Sequence, residues 1–436
     1  MDNDISDQKL TSSFTQSQQR SRSDDDGKDH ANENDDDETS HVDSVCAAYR
    51  QYGTFSMSQW TQREFRLKTL PESQKKLLPS GLRIGTPEYI KRFEDYKNAT
   101  NQNQSCLDCI LEHAVKNSQQ QRSLKAVPAN SYVTSDQISK VSSVLKSLAR
   151  DWSAEGKIER ATAYSPIKTL IQKYLPLDPR TSGTQLLPRI LVPGSGVGRL
   201  AFDLAAMGYS VQCNEFSMYM LLALDFILNN GGSVCNPERP LHLSPWLQES
   251  RNVHAPTDPL RTIQIPDVDI MTILMPPVED EEAMESRPVP EFSMVAGDFV
   301  SIYNQDQEAG QWDCVSSCFF LDATPNMVET LQVIYKMLKP GGLLVNLGPL
   351  LYHWSGPPMS PSDKSLQEYR QRYSHLDGRY FTGIDLCYDD VKVILNSIGF
   401  EILEEETGIE CYYTTDQLSM MKTKYQCVSF VAKKTS

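Results

Sequence analysis

The chain reads as an α/β protein, a mostly parallel sheet flanked by helices and preceded by a separate helical region. Three observations predict this. From Leu187 onward, short β-branched runs alternate with helical stretches, the pattern of βαβ units. The first such run, RILVP, leads directly into Gly194-Ser195-Gly196-Val197-Gly198 and then a helical stretch, as a strand, tight turn and helix require. Before Leu187, apolar residues recur at three- and four-residue spacing, which is helical.

Residues 1–44 hold 13 Asp/Glu against 4 Lys/Arg, so −9 of the formal charge of −15 sits in this segment. Almost no aromatic or β-branched residue occurs there, so burial cannot offset chain entropy, and a disordered acidic tail is expected. Residues 45–134 read as a helical region punctuated by Pro71, Pro79 and Pro87. Ser135 is the expected N-cap of a helix that leads into the α/β domain, 135–436. In that domain VGRLAFDLAAMG reads as a helix closed by Gly208, YSVQCNEFS as the second strand and MYMLLALDFILNNGG as an apolar helix. Residues 233–290 are proline-rich with little periodicity and read as an insertion. Beyond it, FSMVAGDF, WDCVSSCFFLD and GGLLVNLGPL read as further strands. NMVETLQVIYKML and the stretch after Tyr388-Asp389-Asp390 read as helices, and GIECYYTT and YQCVSFVAKK as the closing pair.

Several function classes are disfavoured. Outside the tail the charge is about −6 and no basic stripe stands out, so no nucleic-acid partner is expected. No run of eighteen apolar residues occurs and the N-terminus is polar and acidic, so neither a membrane span nor a secretory leader is expected. A soluble protein of the cytoplasm, with the nucleus also open to it, follows as the expectation. The ten cysteines are scattered, several in apolar runs, and read as buried thiols without disulfides. Cys106-x-x-Cys109 with His113 is the one metal-like spacing, but no second pair completes a tetrahedral site, so no metal is expected.

In an open parallel sheet, ligands bind beyond the carboxyl ends of the strands. Gly194 and its loop let backbone approach a ligand and open a helix N-terminus. Glu215, twenty-one positions after Gly194, stands where a carboxylate accepts the hydroxyls of a ribose. The third glycine, at 198, comes one position early for a dinucleotide fingerprint and Arg199 occupies the expected slot, which disfavours NAD and an oxidoreductase. Asp298-Phe299 offers an acid and a ring to an adenine; the same pair also reads as an N-cap and a core aromatic. Asp322, ending the apolar run CVSSCFFLD, is a candidate ligand-facing carboxylate at a strand end, against the alternative of a helix-capping Asp. His353, among aromatic residues after the LKPGG strand, is a candidate substrate anchor or proton acceptor.

In this order LVPGSGVGRL, NEFS, AGDF, WDCVSSCFFLD and YKMLKPGGLLV resemble the class I S-adenosylmethionine-dependent methyltransferases, which have a Rossmann-like sheet flanked by helices. More narrowly, NLGPLLYHW, DQLSMMKTKYQCVSFVAKK, LARDWSAEGKIERATAYSPI and YRQYGT with REFRLKTLPESQKKLLP resemble the carnosine N-methyltransferase family, from about Val45 to the C-terminus. The resemblance implies S-adenosylmethionine as co-substrate and transfer of its methyl group to the histidine imidazole of carnosine or a related X-His dipeptide, giving anserine and S-adenosylhomocysteine. It implies Arg150 at the co-substrate's methionine carboxylate, with Ser147 standing where the family has glutamine. It further implies Gly194 facing the co-substrate, Glu215 on its ribose, Asp298 and Phe299 on its adenine and Cys314 lining the pocket. Asp322, His353 and Tyr425 match the family's substrate-binding positions. Pro193 replaces the acid that usually precedes the first glycine of methyltransferases. Residues 355–383 look longer than the family's connection at this point. The expected partner is a small peptide substrate; monomer and homodimer both stay open, as does a methyltransferase-like protein that binds the co-substrate without turnover.

Overall fold

A computed structural model describes residues 31–117, 133–178, 186–229, 235–274, 290–362, 364–376 and 378–435. Residues 1–30 of the expected tail lie outside the described residues. Helix α1, Ala31–Lys68, begins within that segment, so helix covers residues 31–44 as well.

α1 pairs with α2, Pro87–Asn117, and with α3, Ser135–Trp152, to form the N-terminal helical layer. The N-cap of α3 is Thr134, one residue before the expected Ser135; its hydroxyl and the Gln137 side chain form a reciprocal capping box. α4, Lys157–Tyr174, follows. The helical layer is tied to the α/β domain through Tyr49, whose hydroxyl donates to the Tyr219 carbonyl at 2.6 Å. Asn103 contributes a second tie, pairing with both the N–H and the C=O of Ser244 in the insertion. The insertion itself holds a small antiparallel pair, β3 (Leu241–Leu243) and β4 (Ile263–Ile265).

The main sheet comprises β1 (Arg189–Pro193), β2 (Ser210–Glu215), β5 (Phe292–Ala296), β6 (Trp312–Cys318), β7 (Leu338–Gly348), β8 (Phe400–Tyr412) and β9 (Lys424–Lys434). Its order is β5-β2-β1-β6-β7-β9-β8, parallel except for β9, which runs antiparallel to both neighbours. Strand order reverses between β1 and β6, and the crevice beyond their carboxyl ends is where such a sheet binds a ligand. Alternation along the strands sends side chains to two cores. Ile190, Val192, Cys314 and Val345 pack under α3, α4, α5 (Arg199–Ala206) and α6 (Met218–Asn229). Leu191, Val315 and Leu344 pack under α7 (Phe299–Tyr303), α8 (Met327–Met337) and α9 (Tyr388–Ile398).

Candidate active site

The glycine loop sits at the switch point, between the end of β1 and the start of α5. Gly194 has φ +60°, the left-handed region, and a Cβ there would lie 2.7 Å from the Phe320 ring, so only glycine fits. Glu215, at the end of β2, is buried and reaches across to this loop. One carboxylate oxygen accepts from the Gly196 N–H at 2.8 Å; the other accepts from the N–H groups of Phe216 and Ser217 at 2.9 and 2.8 Å. Burial pushes its pKa up, and the three N–H donors oppose that shift. A carboxylate offers about four acceptor sites. Accepting both hydroxyls of a ribose therefore requires Glu215 to release one of its backbone partners.

The carboxyl end of α3 is clamped over the loop. Trp152 donates from its indole N–H to the Val197 carbonyl at 2.8 Å, and Arg199 donates to the Asp151 carbonyl at 2.8 Å. Arg160 donates to the carbonyls of Arg150 and Ser153, which closes the helix end. Asp267 holds Arg160 and Arg199 together, each at 2.6 Å. The Arg150 guanidinium is thereby placed against the loop, 3.7 Å from where a Cβ on Gly196 would stand, and over the Tyr413 ring at 5.6 Å. Ser147 is buried one helical turn earlier on α3, spaced to share the Arg150 face.

Asp298 and Phe299, the expected adenine contacts, also fill the structural roles that the same pair allows. Asp298 is the N-cap of α7, with one carboxylate oxygen accepting from the Ser301 N–H and hydroxyl at 2.9 Å each. Phe299 is buried, edge-on to Phe320 at 5.4 Å. Because Phe320 also touches Gly194, this aromatic pair backs the glycine loop. Cys314 departs from its expected place. It lies near the amino end of β6, paired with Ile190 and Leu343 and fully buried, whereas ligands meet this sheet at the carboxyl ends. Cys318, at the carboxyl end of β6, is the thiol that feels the charges of Arg150 and Asp151.

Asp322, His353 and Tyr425 converge on the other side of the switch point. Asp322 stands in a tight helical turn, Leu321–Ala323, just past β6, and is 2% exposed. The Leu351 N–H donates to one of its oxygens at 2.8 Å, and the His353 N–H to its carbonyl at 3.1 Å. Burial pushes the Asp322 pKa up, and the Leu351 N–H and His353 oppose the shift. His353 is exposed beside this carboxylate. Tyr425, half-buried on β9, lies near enough for the Asp322 charge to add to the burial that raises its pKa.

Two aromatic residues that sequence reasoning missed complete this side. Phe319 has φ +54° and lies 5.2 Å from the Tyr413 ring and 5.9 Å from the Tyr425 ring. Its turn is possible because Gly348 leaves room: a Cβ there would stand 3.2 Å from the Phe319 backbone. Tyr413, just after β8, bridges this aromatic wall and Arg150. The doubled tyrosine in GIECYYTT was the one available signal for it. His113, from the metal-like spacing, pairs with Asp225 at 3.1 Å; among the described residues no group of His, Cys, Asp or Glu is placed to hold a metal ion.

A doubly wound sheet in this order, with one antiparallel strand, a glycine loop at its switch point and a buried acid reaching that loop, is the architecture of the class I methyltransferases. Among solved structures, a SAM-dependent methyltransferase from Methanosarcina mazei matches 61% of this chain and 97% of its own at 16% identity and a TM-score of 0.31. A model of the carnosine N-methyltransferase family matches residues 128–436. The carnosine N-methyltransferase of Mus musculus is 34% identical over 403 residues, 91% of this chain and 86% of the mouse protein. That of Schizosaccharomyces pombe is 31% identical over 397 residues, 90% and 95% of the two chains. The chain belongs to the carnosine N-methyltransferase family.

Proposed function

We propose that this chain transfers the sulfonium methyl group of S-adenosylmethionine to an imidazole nitrogen of carnosine or a related X-His dipeptide, giving anserine, in the case of carnosine, and S-adenosylhomocysteine. The observation that carries the imidazole assignment is Asp322. It is a buried carboxylate at a strand end, fixed by the Leu351 N–H and near enough to act on Tyr425, against whose ring Phe319 packs.

S-adenosylmethionine supplies a methyl carbon bonded to a positively charged sulfur, so displacement needs a neutral ring nitrogen aligned roughly 3 Å away. Asp322 accepts the N–H of one ring nitrogen, which fixes the tautomer and leaves the lone pair of the other directed at the methyl carbon. As the new N–C bond forms and the C–S bond breaks, the bonding pair returns to sulfur and the ring becomes cationic. The buried Asp322 charge stabilises that cation in the transition state, as a triad aspartate stabilises an imidazolium. The ring N–H proton then leaves past exposed His353 to water. On the co-substrate side, Glu215 receives the ribose and Arg150 the methionine carboxylate, with Gly194 allowing close approach.

The test is incubation with S-adenosylmethionine and a panel of X-His dipeptides together with matched dipeptides lacking histidine, read by mass spectrometry. Methylation confined to the histidine-containing peptides supports the reading. Demonstrated S-adenosylhomocysteine binding with no methylation of any member would leave a binding protein without turnover.

A further inference from the structure

Arg150 and Asp151 are consecutive on α3, and side chains one residue apart on a helix do not face each other. Here they nonetheless form a fork, with Nε donating to Oδ1 at 2.7 Å and Nη2 to Oδ2 at 2.8 Å. The surroundings impose this geometry. Asp151 is fully buried, its Oδ1 also accepts from the Tyr164 hydroxyl on α4 at 2.8 Å, and its carbonyl accepts from Arg199. Asp151 therefore cannot follow its partner into solvent.

The Arg150 guanidinium is bounded by Asp151, the Tyr413 ring and the backbone of Gly196. A guanidinium has five N–H donors; the fork uses two, so three remain for a ligand. Glu159 fixes the Tyr413 wall, since its carboxylate accepts from the Thr414 and Thr415 N–H groups directly after Tyr413. Asp151's own negative charge works against an anionic ligand, so whatever it contributes must be orientation. A free arginine side chain carries substantial rotamer entropy, and a planar fork held in place beforehand loses less of it on binding.

We propose that Asp151 is a positioning residue, which aims Arg150 at the carboxylate of the co-substrate's amino-acid arm and so makes binding depend on that arm. This rests on the reading of Arg150 given above. A purely structural Asp151 would affect all ligands of the site equally, whereas a positioning residue affects only ligands that carry the arm.

The experiment measures affinity by calorimetry for S-adenosylhomocysteine and for 5′-methylthioadenosine, which keeps the adenine, ribose and sulfur but lacks the amino-acid arm. Asp151→Asn places amide hydrogens where the fork needs an acceptor. It should weaken S-adenosylhomocysteine about tenfold and 5′-methylthioadenosine less than about twofold, with KM for S-adenosylmethionine raised and kcat nearly kept. Tyr164→Phe, which leaves the fork but removes its brace, should weaken S-adenosylhomocysteine selectively by about threefold, and tests the same point if Asp151→Asn folds poorly. Equal loss for both ligands overturns the proposal in favour of a structural role. An unchanged affinity ratio in these variants overturns it alone if Arg150→Ala does collapse the ratio. If Arg150→Ala also leaves the ratio intact, the reading of Arg150 itself falls.

Discussion

Replacing Asp322 by Asn tests the substrate side most sharply, because it removes a charge while keeping an oxygen that can accept from the Leu351 N–H. Two contributions are lost. A hydrogen bond to a charged acceptor is worth about 1.5–3 kcal/mol. The attraction between the carboxylate and the developing ring cation, at about 4 Å and an effective dielectric constant near 20, is about 4 kcal/mol at full charge. Part of that charge is present in the transition state and the two contributions overlap, so we expect a loss of about 3–4 kcal/mol, or a kcat lowered about 10²–10³-fold. The assay is initial-rate transfer to carnosine by mass spectrometry, with S-adenosylhomocysteine affinity measured in parallel by calorimetry. Affinity should stay within about twofold, since no co-substrate contact is altered. A kcat within threefold of the unmodified chain would refute the role of Asp322; equal loss of turnover and nucleoside affinity would place it in the fold or the co-substrate site.

The same carboxylate sets a pH dependence. Activity needs ionised Asp322, whose pKa burial raises, so kcat should fall as pH drops through a value above the ordinary carboxylate range, and Asp322→Asn should remove that fall while leaving the one set by protonation of the substrate imidazole. Stability runs the other way. A raised folded-state pKa contributes stability that is full below the ordinary carboxylate value and lost as pH rises through the raised value, so Asp322→Asn should not lower Tm at pH 7. Gly194→Ala meets both φ +60° and the Phe320 ring at 2.7 Å. It should cost about 2–4 kcal/mol, seen as a lower denaturation midpoint together with weaker S-adenosylhomocysteine binding. Glu215→Gln should weaken S-adenosylhomocysteine about tenfold in calorimetry, and a smaller loss for the 2′-deoxyribose analogue than for the parent would confirm the ribose as its partner. Tyr413→Leu removes the ring beneath Arg150 and should cost about 0.5–2 kcal/mol of S-adenosylhomocysteine affinity, whereas Tyr413→Phe should be close to neutral.

The glycine loop and Glu215 were legible in the sequence because both sit within one βαβ unit, where chain distance and spatial distance coincide. Asp322 was legible for a related reason: it ends an apolar run, and a strand end in a parallel sheet is where ligands gather. The aromatic wall was not. Phe319 follows β6, Tyr413 follows β8 and Tyr425 is on β9, so the contact of Phe319 and Tyr413 with Tyr425 depends on strand order, which no local pattern carries. Cys314 shows the converse failure. The run WDCVSSC offers two cysteines, and the extent of β6, with Cys314 opposite Ile190 and Cys318 opposite Leu347, puts Cys318 and not Cys314 at the carboxyl end. The insertion read as irregular because β3 and β4 are three residues each, too short for alternation to register; a long-range partner, Asn103, secures Ser244 at the end of β3. Helix over 31–44 ran against composition, since a highly acidic stretch carries no apolar face to announce it.

The most direct measurement of the central claim is single-turnover transfer from S-adenosylmethionine carrying a 13C-labelled methyl group to carnosine, with the position of the label read by NMR. One labelled product is expected, with the methyl group on an imidazole nitrogen, and its loss on Asp322→Asn. A label on the β-alanyl amine, or turnover undiminished by that substitution, would contradict it.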